Sequence, residues 1–88
     1  MIETQVTVRN RAGIHTRPAA SIVKLAARYK SDIYLLREGF AINAKSIIGV
    51  MSLAAEQGST LTLRIDGEDE EKASIDISDF FKSGFGEV

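Results

Sequence analysis

The chain has no cysteine, no tryptophan, one proline and one histidine among its 88 residues. Without thiols it can form no disulfide framework, no thiolate metal site and no cysteine nucleophile. A lone imidazole also excludes any site built on two. Charge of either sign is scarce in surplus: eleven basic against twelve acidic side chains leave a net −1. That balance disfavours a nucleic-acid module, which ordinarily carries extra basic residues to neutralise phosphates. No run approaches the roughly 18 to 20 apolar residues needed to span a bilayer. The opening Met1-Ile2-Glu3-Thr4-Gln5 alternates apolar and polar residues, unlike a signal peptide, so a soluble cytoplasmic protein is expected. What is present, 44% apolar and 26% charged residues, is ordinary globular composition, and the length suits one domain over residues 1–88.

Periodicity predicts the elements. Ile2, Thr4, Val6 and Val8 alternate with polar residues and read as a strand over 2–9. Asn10-Arg11-Ala12-Gly13 is turn-like, and Pro18 fits the first turn of a helix running to about Tyr29. Ala19, Ile22, Val23 and Ala26 line one face of that helix. Ile33–Leu36 and Phe40–Asn43 read as a hairpin, with Gly39 supplying a positive φ. Ser46 is placed to cap a short helix through Leu53. Leu61, Leu63 and Ile65 mark another strand. Glu68-Asp69-Glu70-Glu71 opens a last helix whose apolar positions are Ala73, Ile77, Phe80 and Phe81, and Gly84 ends it. Ile75 falls off that face. The order β-α-β-β-α-β-α predicts an α+β fold. Helices would cover one face of a four-stranded antiparallel sheet in a two-layer, open-faced sandwich.

The segment Gly13-Ile14-His15-Thr16-Arg17-Pro18-Ala19 holds the most chemistry. A helix starting near Thr16 puts His15 beside N–H groups that have no intrahelical acceptor, at the positive end of the dipole. A lone histidine is more often an ordinary surface imidazole. Here Gly13 permits close backbone approach, Arg17 adds a guanidinium and Pro18 fixes the entry angle. Neutral imidazole is a nucleophile, and a phosphoryl group arriving on it would meet N–H groups of Thr16 and Arg17 and the Arg17 charge. No acidic residue adjoins His15 in sequence to serve as a base, which favours a phosphoryl acceptor over a phosphoesterase.

These residues resemble the active-site signature of HPr, the histidine-containing phosphocarrier of the bacterial phosphoenolpyruvate-dependent phosphotransferase system. Ala44-Lys45-Ser46-Ile47-Ile48-Gly49-Val50-Met51-Ser52-Leu53 resembles the family's second signature, around a regulatory serine. The resemblance covers essentially the whole chain. It implies that His15 takes phosphate on Nδ1 from enzyme I and passes it to a sugar-specific enzyme IIA, with Arg17 neutralising the group. It implies further that HPr kinase/phosphorylase modifies Ser46, and that the product serves a catabolite control protein. It suggests a monomeric carrier, itself no enzyme and needing no cofactor or metal. The alternative is a regulatory HPr-like protein in a nitrogen-linked or incomplete system without sugar transport.

Two surface patterns suit docking. Val50 and Leu53 can face the core, leaving Ile47, Ile48 and Met51 partly outward as either buried helix or partner surface. Arg17, Ser21, Lys24 and Arg28 share a helical face, which beside His15 reads as steering toward acidic partners. Thr16, Ala20, Lys24, Arg28, Ile47, Ile48 and Met51 are therefore the expected partner-binding residues. Asp76 to Asp79 make the last helix acidic, and Phe40 is expected to be an exposed aromatic.

Overall fold

The alternating segments do become strands, and they join in an order that pairs the first strand with the last. A computed structural model describes residues 1–87. Its elements are β1 (Ile2–Thr7), α1 (Thr16–Ala26), β2 (Asp32–Arg37), β3 (Phe40–Asn43), α2 (Ile47–Ser52), β4 (Thr60–Asp66) and α3 (Glu70–Lys82). A short 3-10 turn follows at Gly84–Gly86. The four strands form one antiparallel sheet in the order β1-β4-β2-β3. This is the open-faced sandwich that the periodicity predicts.

Period-two alternation makes the sheet two-faced. Val6, Ile33, Leu35, Leu61, Leu63 and Ile65 point inward and are buried. They meet Ala19, Ile22 and Ala26 of α1, Val50 of α2, and Ala73, Ile77 and Phe81 of α3 in one continuous cluster. Each fully buried large aliphatic or aromatic side chain in such a cluster contributes about 1.5–3 kcal/mol. On the opposite face, Arg64 Nε donates to Glu3 Oε2 at 2.6 Å across the β1–β4 pair. Ile75 and Phe40 are exposed, as their positions off the apolar faces imply.

Several boundaries differ from the periodic reading, each for a local reason. β1 stops at Thr7, although Val8 stays buried and keeps two backbone bonds, to Ser59 and from Gly58. α1 stops at Ala26 because the chain then tightens. Arg28 N–H donates to Leu25 and Tyr29 N–H to Ala26, three residues back, and Lys45 Nζ donates to the Tyr29 carbonyl at 2.7 Å. In the β2–β3 turn not only Gly39 (φ 86°) but also Glu38 (φ 49°) is left-handed, as a two-residue primed turn requires.

Asp69 is the N-cap of α3, yet its carboxylate turns away from that helix. It accepts from the N–H groups of Lys30 at 2.8 Å and Ser31 at 3.0 Å, and from the Ser31 hydroxyl. These bonds hold its pKa down to about 2. Asp69 therefore ties the α1–β2 connection to the start of α3. Glu70, one residue on, accepts from the Gly67 N–H at 3.1 Å and from the Met1 ammonium at 3.1 Å.

Candidate functional site

His15 is the N-cap of α1, with extended backbone (φ −114°, ψ −168°) and a carbonyl that accepts from Ala19 N–H at 2.9 Å. Its side chain makes no cap hydrogen bond, so the imidazole is not consumed by the helix it begins. The ring is 44% exposed. Pro18, third in the helix, has no N–H to leave unsatisfied. The first-turn donors are therefore those of Thr16 and Arg17, both exposed residues.

The loop before His15 is fixed tightly from behind. Gly13 is left-handed (φ 74°), and a Cβ there would lie 2.6 Å from the Ala55 carbonyl oxygen. The same oxygen accepts from Ile14 N–H at 2.8 Å, and Ile14 is buried. The loop is thus clamped on the segment that follows α2. Ala54, next to the clamp, is left-handed without being glycine (φ 48°).

An acidic group absent from the local sequence comes from the far end of the chain. Glu87 Oε1 lies 3.2 Å from His15 Nε2 and accepts from the Asn10 side-chain amide at 2.9 Å. Asn10 is buried and also donates to the Gly13 carbonyl at 2.8 Å, so one amide braces both the loop and the carboxylate. The Glu87 pKa is lowered, first by the Asn10 hydrogen bond and then by His15 and the charge of Arg17. The local sequence holds no acid beside His15, and Asn10 reads there only as a turn residue. Across 72 positions there is no local pattern to connect Glu87 with His15.

Ser46 caps α2: its Oγ accepts from Gly49 N–H at 3.2 Å. Of the apolar residues of α2, Val50 is buried, whereas Ile47 (40%), Ile48 (79%) and Met51 (43%) are exposed. The outward alternative for these three is the one realised. α2 packs beside α1, so the patch adjoins the helix that carries His15. On α1, Thr16, Arg17, Ala20 and Lys24 are exposed, and Arg28 lies exposed in the turn beyond the helix end. Ser21, Lys24, Leu25 and Arg28 line a shallow depression with Phe80 of α3 as its apolar wall. Phe80 is half-buried and its other side packs against the core, as its helical spacing implies. No helix among the described residues is long and apolar enough to cross a membrane.

Residues 2–83 match the family model described as the PTS HPr component phosphorylation site. The chain belongs to the HPr family. Phosphocarrier protein HPr of Treponema pallidum is 48% identical over 87 residues, spanning 99% of each chain. The crystal structure of HPr from Thermoanaerobacter tengcongensis superposes with a TM-score of 0.95 at 40% identity, covering 100% of this chain and 99% of that one. The HPr fold of that protein and the sandwich described above are the same. Crh, the catabolite repression HPr-like protein of Bacillus subtilis, is 40% identical over 96% of this chain and 97% of its own, with a TM-score of 0.77. Its crystal structure is described as a domain-swapped, intertwined dimer.

Proposed function

We propose that this HPr-family chain, one domain over residues 1–88, is a cytoplasmic phosphocarrier of a sugar phosphotransferase system. His15 accepts a phosphoryl group on Nδ1 from enzyme I and hands it to enzyme IIA. The observation that carries this reading is the half-exposed His15 imidazole, free of capping duty at the α1 N-terminus. The N–H groups of Thr16 and Arg17 and the Arg17 guanidinium receive the charge of the transferred group. Their hold is modest, since the site is open to water, and a carrier must release its cargo. The protein is a substrate of other enzymes, works as a monomer and requires no cofactor.

The exposed Ile47, Ile48 and Met51 of α2, together with the exposed Thr16, Ala20, Lys24 and Arg28, form the docking surface. An apolar patch edged by cations suits partners with acidic rims around apolar centres. Ser46 lies at the base of that patch. A kinase-added phosphate there brings about −1.5 to −2 charge onto the surface and weakens docking of acidic partners. The likeness to Crh favours a second reading, a regulatory protein acting through phospho-Ser46 with HPr kinase/phosphorylase and a catabolite control protein.

Incubation with enzyme I and phosphoenolpyruvate tests the first reading. One acid-labile, base-stable phosphate per chain is expected, and none in His15→Ala. Label retained by His15→Ala overturns the assignment. A wild type that takes phosphate only from ATP and the serine kinase selects the regulatory alternative.

A further inference from the structure

The Glu87 contact decides which imidazole nitrogen is free. A carboxylate whose pKa lies below the ordinary glutamate range is ionised at neutral pH and can only accept hydrogen bonds. At 3.2 Å from Nε2 it calls for the proton on Nε2, which in the neutral ring leaves the lone pair on Nδ1. Asn10 prevents the carboxylate from drifting off, because the same amide that donates to Glu87 is anchored on the Gly13 carbonyl. The chain's terminal turn brings Glu87 to this point. Phe85 is buried there, edge-on against Phe81 at 4.9 Å and Phe80 at 5.3 Å between ring centres.

We propose that Glu87, held by Asn10, is a positioning residue for His15: it fixes the Nε2–H tautomer, presents Nδ1 as nucleophile and balances the charge that develops on the ring. The inference deepens the carrier reading and rests on His15 being the acceptor. As the Nδ1 lone pair forms the new N–P bond, the donor's own bond to phosphorus breaks and its electron pair leaves with the departing group. The ring, still carrying its Nε2 proton, becomes a phosphoimidazolium cation. A carboxylate on Nε2–H stabilises that cation, as an acid residue does behind a catalytic histidine. The opposing effect is repulsion between Glu87 and the incoming phosphoryl oxygens. The carboxylate sits at the ring nitrogen that is not attacked, which favours the stabilising term.

Phosphoramidate, a small phosphoryl donor that leaves as ammonia, tests this without enzyme I. The single imidazole makes the readouts unambiguous: long-range proton–nitrogen NMR for the tautomer and phosphorus NMR for the phosphorylated nitrogen. Wild type is expected to show the Nε2–H form and to yield Nδ1-phosphohistidine alone. In Glu87→Leu, loss of one hydrogen bond shifts the tautomer ratio about fivefold, phosphorylation slows and the Nε2 isomer appears. Glu87→Gln keeps an acceptor oxygen without the charge, so it restores the tautomer and the Nδ1 product but not the full rate. An unchanged tautomer ratio in Glu87→Leu overturns the proposal, as does faster labelling of that variant, the signature of dominant repulsion. Failure of the carrier reading shows itself separately, as absent transfer from enzyme I to wild type.

Discussion

Gly13→Ala is the substitution whose cost the structure specifies most closely. Two penalties combine. A left-handed alanine costs about 1 kcal/mol or slightly more relative to glycine. The new methyl would also sit 2.6 Å from the Ala55 carbonyl and 3.0 Å from Glu56 Cα, both backbone atoms that cannot rotate aside. Relief requires the loop to move off the segment after α2, stretching the 2.8 Å bond from Ile14 N–H to Ala55. A lost buried backbone bond adds about 1–3 kcal/mol. The total is about 2–4 kcal/mol. Gly58→Ala is the matched control: its φ is 90°, but a Cβ there meets nothing within 4 Å, so only the backbone penalty remains. Urea unfolding of both variants and wild type measures the difference. For a domain of this size each kcal/mol lowers the melting temperature by about 4–8 °C, so Gly13→Ala is expected to melt about 8–32 °C below wild type. Because His15 lies two residues on, the same variant should accept phosphate more slowly even when fully folded. If the two alanine variants lose equal stability, the close approach at Ala55 contributes nothing and the reasoning fails.

Asp69 makes the fold acid-sensitive in a defined window. Its folded pKa of about 2 lies below the ordinary 3.8, so its contribution is complete above the higher value and is lost as pH falls toward the lower. Asp69→Asn should therefore lower stability at neutral pH and flatten the stability–pH curve between those values. A curve parallel to wild type would show that the Ser31 and Lys30 bonds carry no linkage. Ser46→Ala removes the acceptor for Gly49 N–H and should cost about 1 kcal/mol in denaturant unfolding. It should also abolish labelling by ATP and HPr kinase/phosphorylase, and persistent label would move the modified residue elsewhere.

The elements were legible in the sequence wherever one physical cause dominated. Leu61, Leu63 and Ile65 alternate because one sheet face is buried, and Ser46 caps α2 because an orphan N–H lies three residues on. His15 and Arg17 were legible because a helix start, a glycine and a proline converge within six residues. What periodicity could not convey were relations between distant segments. Asp69 reads only as one of four acidic residues opening α3, whereas its carboxylate is spent on Lys30 and Ser31. Phe80 keeps core spacing and packs against the core, yet it is only half-buried and also walls a surface depression. Asn10 and Glu87 flank His15 through tertiary closure, and neither residue carries a mark of it in its neighbours.

The sheet order has a consequence for how the molecule is made. β1 is made before the sheet's other strands, yet it pairs only with β4, register Ile2 with Ile65, and β4 also supplies the second neighbour of β2. Until Asp66 has been synthesised, the backbone edge of Ile2–Thr7 has no strand to pair with, while the β2–β3 hairpin can already close on its own two-residue turn. Closing the sheet is thus a long-range event, slow relative to hairpin and helix formation. The first strand of the sheet to be made is the last to be enclosed, and a nascent chain held short of β4 carries a waiting edge rather than half a domain.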